Sequence, residues 1–308
     1  MLTELVVTPK SVQHAFKLLD AGADAVVVGE EHFGLRLAGE FSLRDIEEIT
    51  LYAHTLSKKV YVSMNALFHN DRVDALAPYM RKLNDIKVDG IYFGDPAIIM
   101  THREIDSEVP LIWNPEQTAT NYFTANYWGE RGATRTYLAR ELSLDELIEV
   151  KENAEVSIEI QVHGMSCMFQ SKRPLLGHYY LHEGKALPIE NREQKDAMLL
   201  YDKERENRYP IYEDLNGTHI FSPNDMCMID ELEEILEAEI DAIRIEGILH
   251  SEAYTVKVTK LYRKALDLYK ESPKLYRQQK NELFKQLEEM QPSHRPLDTG
   301  FFFKESVY

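Results

Sequence analysis

KVYVSMNALFHNDRVDALAPYMRKLNDIKVDGIYFG, residues 59–94, reads as strand, helix and strand in that order, and the fold is decided there. KVYVSM (from Lys59) and GIYFG (from Gly90) are short and β-rich, whereas the apolar residues of DALAPYMRKLNDI between them recur at three and four positions. Such a unit joins two parallel strands through a one-sided crossover helix. The same alternation extends outward in both directions. It gives LTELVVT (from Leu2), DAVVVG (Asp24), PLIWN (Pro110), TRTYLA (Thr134), SIEIQVHG (Ser157) and DAIRIEG (Asp241), with helical stretches such as SVQHAFKLLDAG, SLRDIEEITLYAHTL and SLDELIEVKENA between them. Ser42 and Ser143 precede acidic first turns, and Pro9 and Pro96 fit first-turn positions, where a missing N–H costs nothing. Eight strands favour closure into a TIM-like (β/α)8 barrel over an open sheet with a separate C-terminal domain.

One connection breaks the rhythm. Between Gly164 and a helix expected near Asp225, the chain is rich in Tyr, charge and turn formers, and a structureless loop of that length is unusual inside a compact domain. The expectation is an inserted cap with a β-hairpin, YPIYEDL turning at Asn216-Gly217 into THIFS. The organisation expected is therefore barrel strands one to seven over residues 1–163, a cap over 164–224, and the last barrel unit with C-terminal helices and tail over 225–308. The tail, RPLDTGFFFKESVY, should dock its three consecutive Phe on the body.

Composition narrows the function classes. With 44% apolar residues in 308, the chain can bury a full-sized core. No run reaches the roughly 18 to 20 apolar residues of a membrane helix, and MLTELVVTPK lacks a signal-peptide layout, so a cytoplasmic protein without membrane contact is expected. A net charge of -17 opposes unaided binding to a phosphate backbone, so a nucleic-acid role requires a local patch or a basic partner. Two cysteines, Cys167 and Cys227, exclude a disulfide framework and a four-cysteine metal site made by this chain alone.

A barrel gathers function at the C-terminal ends of its strands. The polar residues there are Glu30 and Glu31 after strand two, with Arg36 in the same loop, Asn65 after three, Asp95 after four, and Asn114 and Gln117 after five. Arg140 and Glu141 follow strand six, His163 strand seven and Glu246 strand eight. This ring supplies a His, several carboxylates and an Arg for acid/base work or for binding a small polar ligand. Structural readings compete: Asp95 as a helix cap, His163 as a satisfied core histidine, Arg140–Glu141 as an internal ion pair, and Glu30 and Arg36 as loop braces. Zinc-helix, nucleophile-elbow, phosphate-loop and dinucleotide fingerprints are missing. Cys167 near His163 in VHGMSC is a weak pattern for a cysteine nucleophile.

VHGMSC and, after the cap, FSPNDMCMIDELEEILEAEIDAIRIEG resemble the peptidase U32 (collagenase-like) family. AGADAVVVGEEHFGLR, NPEQTATNYFTANYWGERGATRTYLARELSLDEL and RPLDTGFFF carry the same resemblance over nearly the whole chain. It implies a branch that hydroxylates tRNA wobble uridine to 5-hydroxyuridine in a prephenate-dependent way, and members that hold a [4Fe-4S] cluster on four cysteines. Cys167 matches the first cluster ligand and Cys227 the last, but Pro174 stands at the second position and residues 191–197 offer no third. The two cysteines then form a partial remnant, vestigial or structural, with no cofactor in the isolated chain and the cluster in a cysteine-complete relative. The resemblance implies a subunit acting on tRNA beside a homologous U32 partner. His163, Glu246, Arg140 and Glu141 are the catalytic candidates, and Glu30, Arg36, Asn65, Gln117 and Asn121 the substrate-binding ones. The alternatives are a U32-type peptidase dependent on His163 or Glu246, and a non-catalytic scaffold subunit.

Overall fold

The computed structural model describes residues 3–185 and 198–304. Seven strands come first in the chain: β1 (Glu4–Val7), β2 (Ala25–Val28), β3 (Lys59–Met64), β4 (Gly90–Phe93), β5 (Leu111–Trp113), β6 (Ala133–Tyr137) and β7 (Ser157–Gly164). The cap contributes β8 (Cys167–Ser171), β9 (Leu199–Asp202), β10 (Asn207–Asp214) and β11 (Gly217–Phe221), and the chain closes with β12 (Asp225–Cys227), β13 (Ala242–Ile245) and β14 (Leu297–Asp298). Strands β1 to β7 pair in sequence order, all parallel, and β13 pairs in parallel with both β7 and β1. That double pairing closes the eight-stranded cylinder.

The helices between strands are α1 (Val12–Asp20), α2 (Leu43–Thr55), α3 (Asn70–Val73), α4 (Leu76–Ile86), α5 (Pro96–Glu104), α6 (Tyr122–Gly129) and α7 (Leu144–Asn153). The cap carries α8 (Leu175–His182), and α9 (Leu232–Glu237), α10 (Glu252–Glu271) and α11 (Pro273–Met290) follow. Ser42 and Ser143 each form a reciprocal capping box, so the acidic first turns fasten their own helix starts. Pro96 sits in the first turn of α5, whereas Pro9 lies ahead of Ser11, the residue that caps α1.

Side-chain alternation along each strand produces two cores. The larger lies between barrel and helices and includes Val26, Val62, Ile91, Ile160 and Ile243; the smaller fills the cylinder with Val6, Ala25, Val27, Tyr61, Tyr92, Ile112, Tyr137 and Ala242. Charge shares that interior. Glu159, fully buried, takes Arg244 Nη2 at 2.6 Å, Arg135 Nη1 at 3.3 Å and the Tyr92 hydroxyl at 2.8 Å, and Arg135 also reaches Glu4 at 2.6 Å.

The cap is a four-stranded antiparallel sheet in the order β8-β11-β10-β9. Its expected hairpin forms between β10 and β11, but Asp214 pairs with Gly217, so the turn is Leu215-Asn216 and Gly217 begins the returning strand at φ +109°. Asp225 starts a strand, not a helix: β12 runs antiparallel to the end of β7, and helix resumes at Leu232. Of its three consecutive Phe the tail buries Phe302, whose carbonyl accepts from Leu144 N–H at 2.9 Å, while upstream β14 pairs with β12 and Arg295 reaches Asp225 at 3.3 Å. Phe301 and Phe303 stay exposed, because one anchored residue of three turns its neighbours outward.

The interior ion network gives a direct stability test. Glu159→Gln leaves two buried guanidinium groups short of their shared counter-charge, and the expected loss is roughly 3–5 kcal/mol in chemical denaturation monitored by circular dichroism.

Candidate functional site

At the C-terminal mouth of the barrel three loops converge on one carboxylate. Glu116, in the β5–α6 loop, accepts from Asn65 Nδ2 at 2.8 Å and Arg140 Nη1 at 2.9 Å, and it forms an ion pair with Arg36. Each donor is itself held. Asn65 Oδ1 accepts from Leu35 N–H and the Ser63 hydroxyl, Arg140 Nε donates to Gln161 at 2.7 Å, and Arg36 Nη1 donates to Gln170 of the cap at 3.0 Å. Arg36 (φ +51°) and Glu116 (φ +70°) both occupy the left-handed region, which a non-glycine residue adopts at a cost of about 1–2 kcal/mol. Burial alone raises the Glu116 pKa, but Arg36 and Arg140 together pull it down to about 2, so the group is a carboxylate at neutral pH.

Deeper in the mouth, Glu246 is held loosely. Thr8 reaches it at 3.4 Å, and Tyr137 and Arg244 each at 3.5 Å, all at the long end of hydrogen bonding. Asn114 Oδ1 beside it is buried without a hydrogen-bond partner, an acceptor open to a ligand donor.

The inner face of the cap forms the roof. Opposed pairs Gln170/His219 and Cys167/Phe221 on β8 and β11 share that face with Tyr212 of β10. His219 is fully buried; its Nε2 meets Asp214 Oδ1 at 2.9 Å, its Nδ1 has no hydrogen-bond partner among the described residues, and Cys167 on the same face donates its thiol to Phe169 O at 3.3 Å. Burial lowers the His219 pKa, but Asp214 and Cys167 outweigh it and the net direction is upward. For Cys167, burial raises the pKa, while Arg36, His219 and Arg140 more than offset that, and the thiol is acidified. Cys167 borders both the inner pocket and an outer chamber of about 360 Å³ under the cap and tail.

The mouth thus gathers Arg36, Asn65, Asn114, Arg140, Glu246 and Cys167. Gln117 and Glu141 lie exposed on the outer chamber, and Arg140 pairs with Glu116 in place of Glu141. Other candidates lie elsewhere. His163 faces away from the mouth: β7 presents Val162 and His163 where β13 presents only Ile245, and this bulge turns His163 into the layer under α10. There Nε2 meets the Tyr254 hydroxyl at 2.8 Å, and burial pulls the pKa down to about 3, so the ring is a neutral packed histidine. Asn121 caps α6, accepting from Thr124 N–H at 2.9 Å. Glu30 accepts from the Leu43 backbone at the start of α2, burial and Glu40 raising its pKa. Glu31 accepts from Leu215 N–H and braces the cap hairpin; Asp95 caps α5 and holds Phe68 N–H.

The two cysteines lie in different layers of the fold. Cys227 is buried in the shell against Tyr262, its thiol pushed up to about 12 by burial, whereas Cys167 belongs to the mouth. Pro174 directly precedes α8, residues 191–197 lie outside the described residues, and no group of three or more potential ligands is disposed around a metal position among those described. Sequence reading passed over Glu116, Gln161, Asp214 and His219. Glu116 stood between two residues that it did select.

Comparison with known proteins bears on what this mouth serves. Residues 10–307 match the family described as Peptidase family U32. The chain belongs to that family. Among U32 relatives, it is 52% identical over 305 residues to tRNA hydroxylation protein P2 of Bacillus subtilis, covering 99% of each chain. It is 32% identical over 282 residues to tRNA hydroxylation protein P1 of the same organism, covering 91% of this chain and 66% of that one. A 23S rRNA 5-hydroxycytidine synthase of Escherichia coli is 27% identical, with 80% of this chain and 36% of the synthase covered. The solved structure of a U32 peptidase superposes with a TM-score of 0.51 at 16% identity, covering 80% of this chain and 92% of that one, and supports the fold. No helix among the described residues is long and apolar enough to cross a membrane.

Because the Glu116 pKa is depressed from 4.5 to about 2 on folding, its stabilisation is complete above the unfolded value and disappears as pH falls through that window. Denaturation midpoints of the native chain should therefore fall between those two pH values more steeply than those of Glu116→Gln. At neutral pH the variant should be less stable by roughly 3 kcal/mol.

Proposed function

We propose that this chain is a subunit of a tRNA wobble-uridine hydroxylation system that makes 5-hydroxyuridine and works with a cysteine-complete U32 paralogue. The observation that carries the reading is end-to-end similarity to tRNA hydroxylation protein P2, at 52% identity with 99% of both chains covered. The barrel mouth supports it physically: two guanidinium groups converge beside an open acceptor and a loosely held carboxylate, a set suited to a small polar ligand.

Prephenate, the co-substrate that the family resemblance implies, carries carboxylates that Arg36 and Arg140 are equipped to meet. The partner accounts for the charge: a chain at -17 gains RNA through a complex more readily than by itself. The cluster chemistry of cysteine-complete members then belongs to the paralogue, and this chain contributes the mouth.

The test is nucleoside mass spectrometry of tRNA from a strain lacking both this chain and the paralogue. Restoring the pair should return wobble 5-hydroxyuridine, and restoring the pair with Arg140→Ala should return at least tenfold less at equal protein level. Full modification from the Arg140→Ala pair would reject the mouth as the site, and full modification without this chain would reject the role itself.

A further inference from the structure

The cap brings together a cysteine, a histidine and a carboxylate that the reading above leaves without a task. Cys167 begins β8, Asp214 ends β10 and His219 lies in β11, so antiparallel pairing of the hairpin sets all three on one small patch facing the mouth. Asp214 holds His219 Nε2 at 2.9 Å. His219 is fully buried and its Nδ1 has no hydrogen-bond partner among the described residues; Cys167 shares that face of the sheet, and its thiol donates to the Phe169 carbonyl at 3.3 Å. Arg36 and Arg140 line the same pocket as Cys167, with Glu116 and Glu246 as the carboxylates there, and the two guanidinium groups favour a negative sulfur. Carboxylate, imidazole and thiol in that order form an activated-nucleophile arrangement.

We propose that Cys167 is a nucleophile, positioned by His219 and Asp214, that adds to C6 of a pyrimidine ring received in the outer chamber. The proposal rests on the tRNA-hydroxylation reading and deepens it. The chamber suits a base turned out of its strand: Tyr209 and Phe301 offer aromatic faces, and Asn207, Asn224 and Gln117 offer amides for the ring edge. As the sulfur–C6 bond forms, the C5=C6 π electrons move to C5 and onto the C4 oxygen, which Arg140 is placed to stabilise. C5 then takes a proton from solvent. Loss of the other C5 proton and expulsion of the thiolate restore the ring, so the cycle exchanges hydrogen at C5 with no oxidant. The same addition makes C5 electron-rich, and C5 is the carbon hydroxylated in 5-hydroxyuridine.

Acyl transfer to a peptide is the competing use of such a thiol, and the backbone disfavours it. An oxyanion hole needs free N–H donors beside the sulfur. Here Ser166 N–H donates to the Ser222 hydroxyl at 3.1 Å, Ser222 N–H donates to Ser166 O at 2.8 Å, and Cys167 is paired in the ladder with Phe221.

The experiment incubates the full chain, alone and mixed with its paralogue, in deuterated water with an anticodon stem-loop RNA carrying wobble uridine, and reads C5 deuterium by mass spectrometry. The expected result is exchange that falls at least tenfold in Cys167→Ser. In parallel, iodoacetamide should alkylate Cys167 and spare Cys227 at neutral pH. His219→Gln, read on protein shown to be folded by circular dichroism, should slow that labelling about tenfold and diminish the ultraviolet thiolate absorbance. Absence of exchange, exchange that survives Cys167→Ser, labelling indifferent to His219→Gln, or gelatin cleavage lost in Cys167→Ser would each overturn the proposal. If deleting the chain abolishes wobble 5-hydroxyuridine while exchange is absent, the nucleophile fails and the hydroxylation reading stands; if deletion leaves the nucleoside intact, the reading itself fails.

Discussion

The mouth of this barrel depends on one carboxylate shared by two guanidinium groups. Glu116 receives Arg36 from the β2–α2 loop, Asn65 from the end of β3 and Arg140 from the end of β6, so loops remote in sequence are fixed to one another through a single buried charge. Taking such a group out of water is expensive, and only a full set of donors makes it stable. The unfavourable backbone at Arg36 and Glu116 fits the same picture, because a left-handed residue persists where its surroundings determine it several times over. The cap enters this arrangement through Gln170, which accepts from Arg36, so roof and floor are set by the same guanidinium.

Beneath that layer the cylinder repeats the principle with other residues. Glu159 sits between Arg135 and Arg244, and Arg244 lies over the rings of Tyr92 and Tyr137 at 4.3 and 4.1 Å. Arg244 also reaches up to Glu246, though only at 3.5 Å. Pairing is therefore tight around Glu159 at the bottom and loose at Glu246, which lies beneath the tightly paired Glu116 of the mouth. A ligand meets the loose end, where Glu246 and Asn114 still have hydrogen-bonding capacity.

Much of this was legible in sequence, because strand and helix periods are properties of neighbouring residues. Eight apolar runs with one-sided helices between them foretold the closed barrel, and the rule that function gathers at strand ends selected Arg36, Asn65, Asn114, Arg140 and Glu246 together. The same rule also selected His163, which the structure places in the core, the competing reading of that residue. Alternation from Glu159 and Gln161 places it inward, and one extra residue in β7 reverses that, a deviation that no local pattern announces. Asn121 misled for the opposite reason, since a polar residue opening a helix is ordinarily a cap, and it is one here. His219 and Asp214 were invisible because their roles come from the hairpin folding back over the mouth, a contact of long sequence separation with no periodic signature.

The cap also shows how hydrogen bonds tie its helix to its hairpin among the described residues. Where the second ligand would stand, Pro174 precedes the first turn of α8, and proline tolerates that place because it has no N–H to leave unsatisfied. The next donors are taken up within the cap: Leu175 N–H by the Thr218 hydroxyl at 2.9 Å, and Leu176 and Gly177 N–H by the two Glu213 oxygens at 3.0 and 3.1 Å. Glu213, almost fully buried in β10, thereby acts as an anion at a helix N-terminus, where the peptide dipoles favour negative charge. Thr218 also donates to Glu213 and comes from the adjacent strand, so hairpin and helix are locked by one neutral hydroxyl and one carboxylate. A hydrogen-bonded fastening of this kind ties α8 to the hairpin whose β11 pairs with β8, and so holds Cys167 at the mouth beside Arg36 and Arg140.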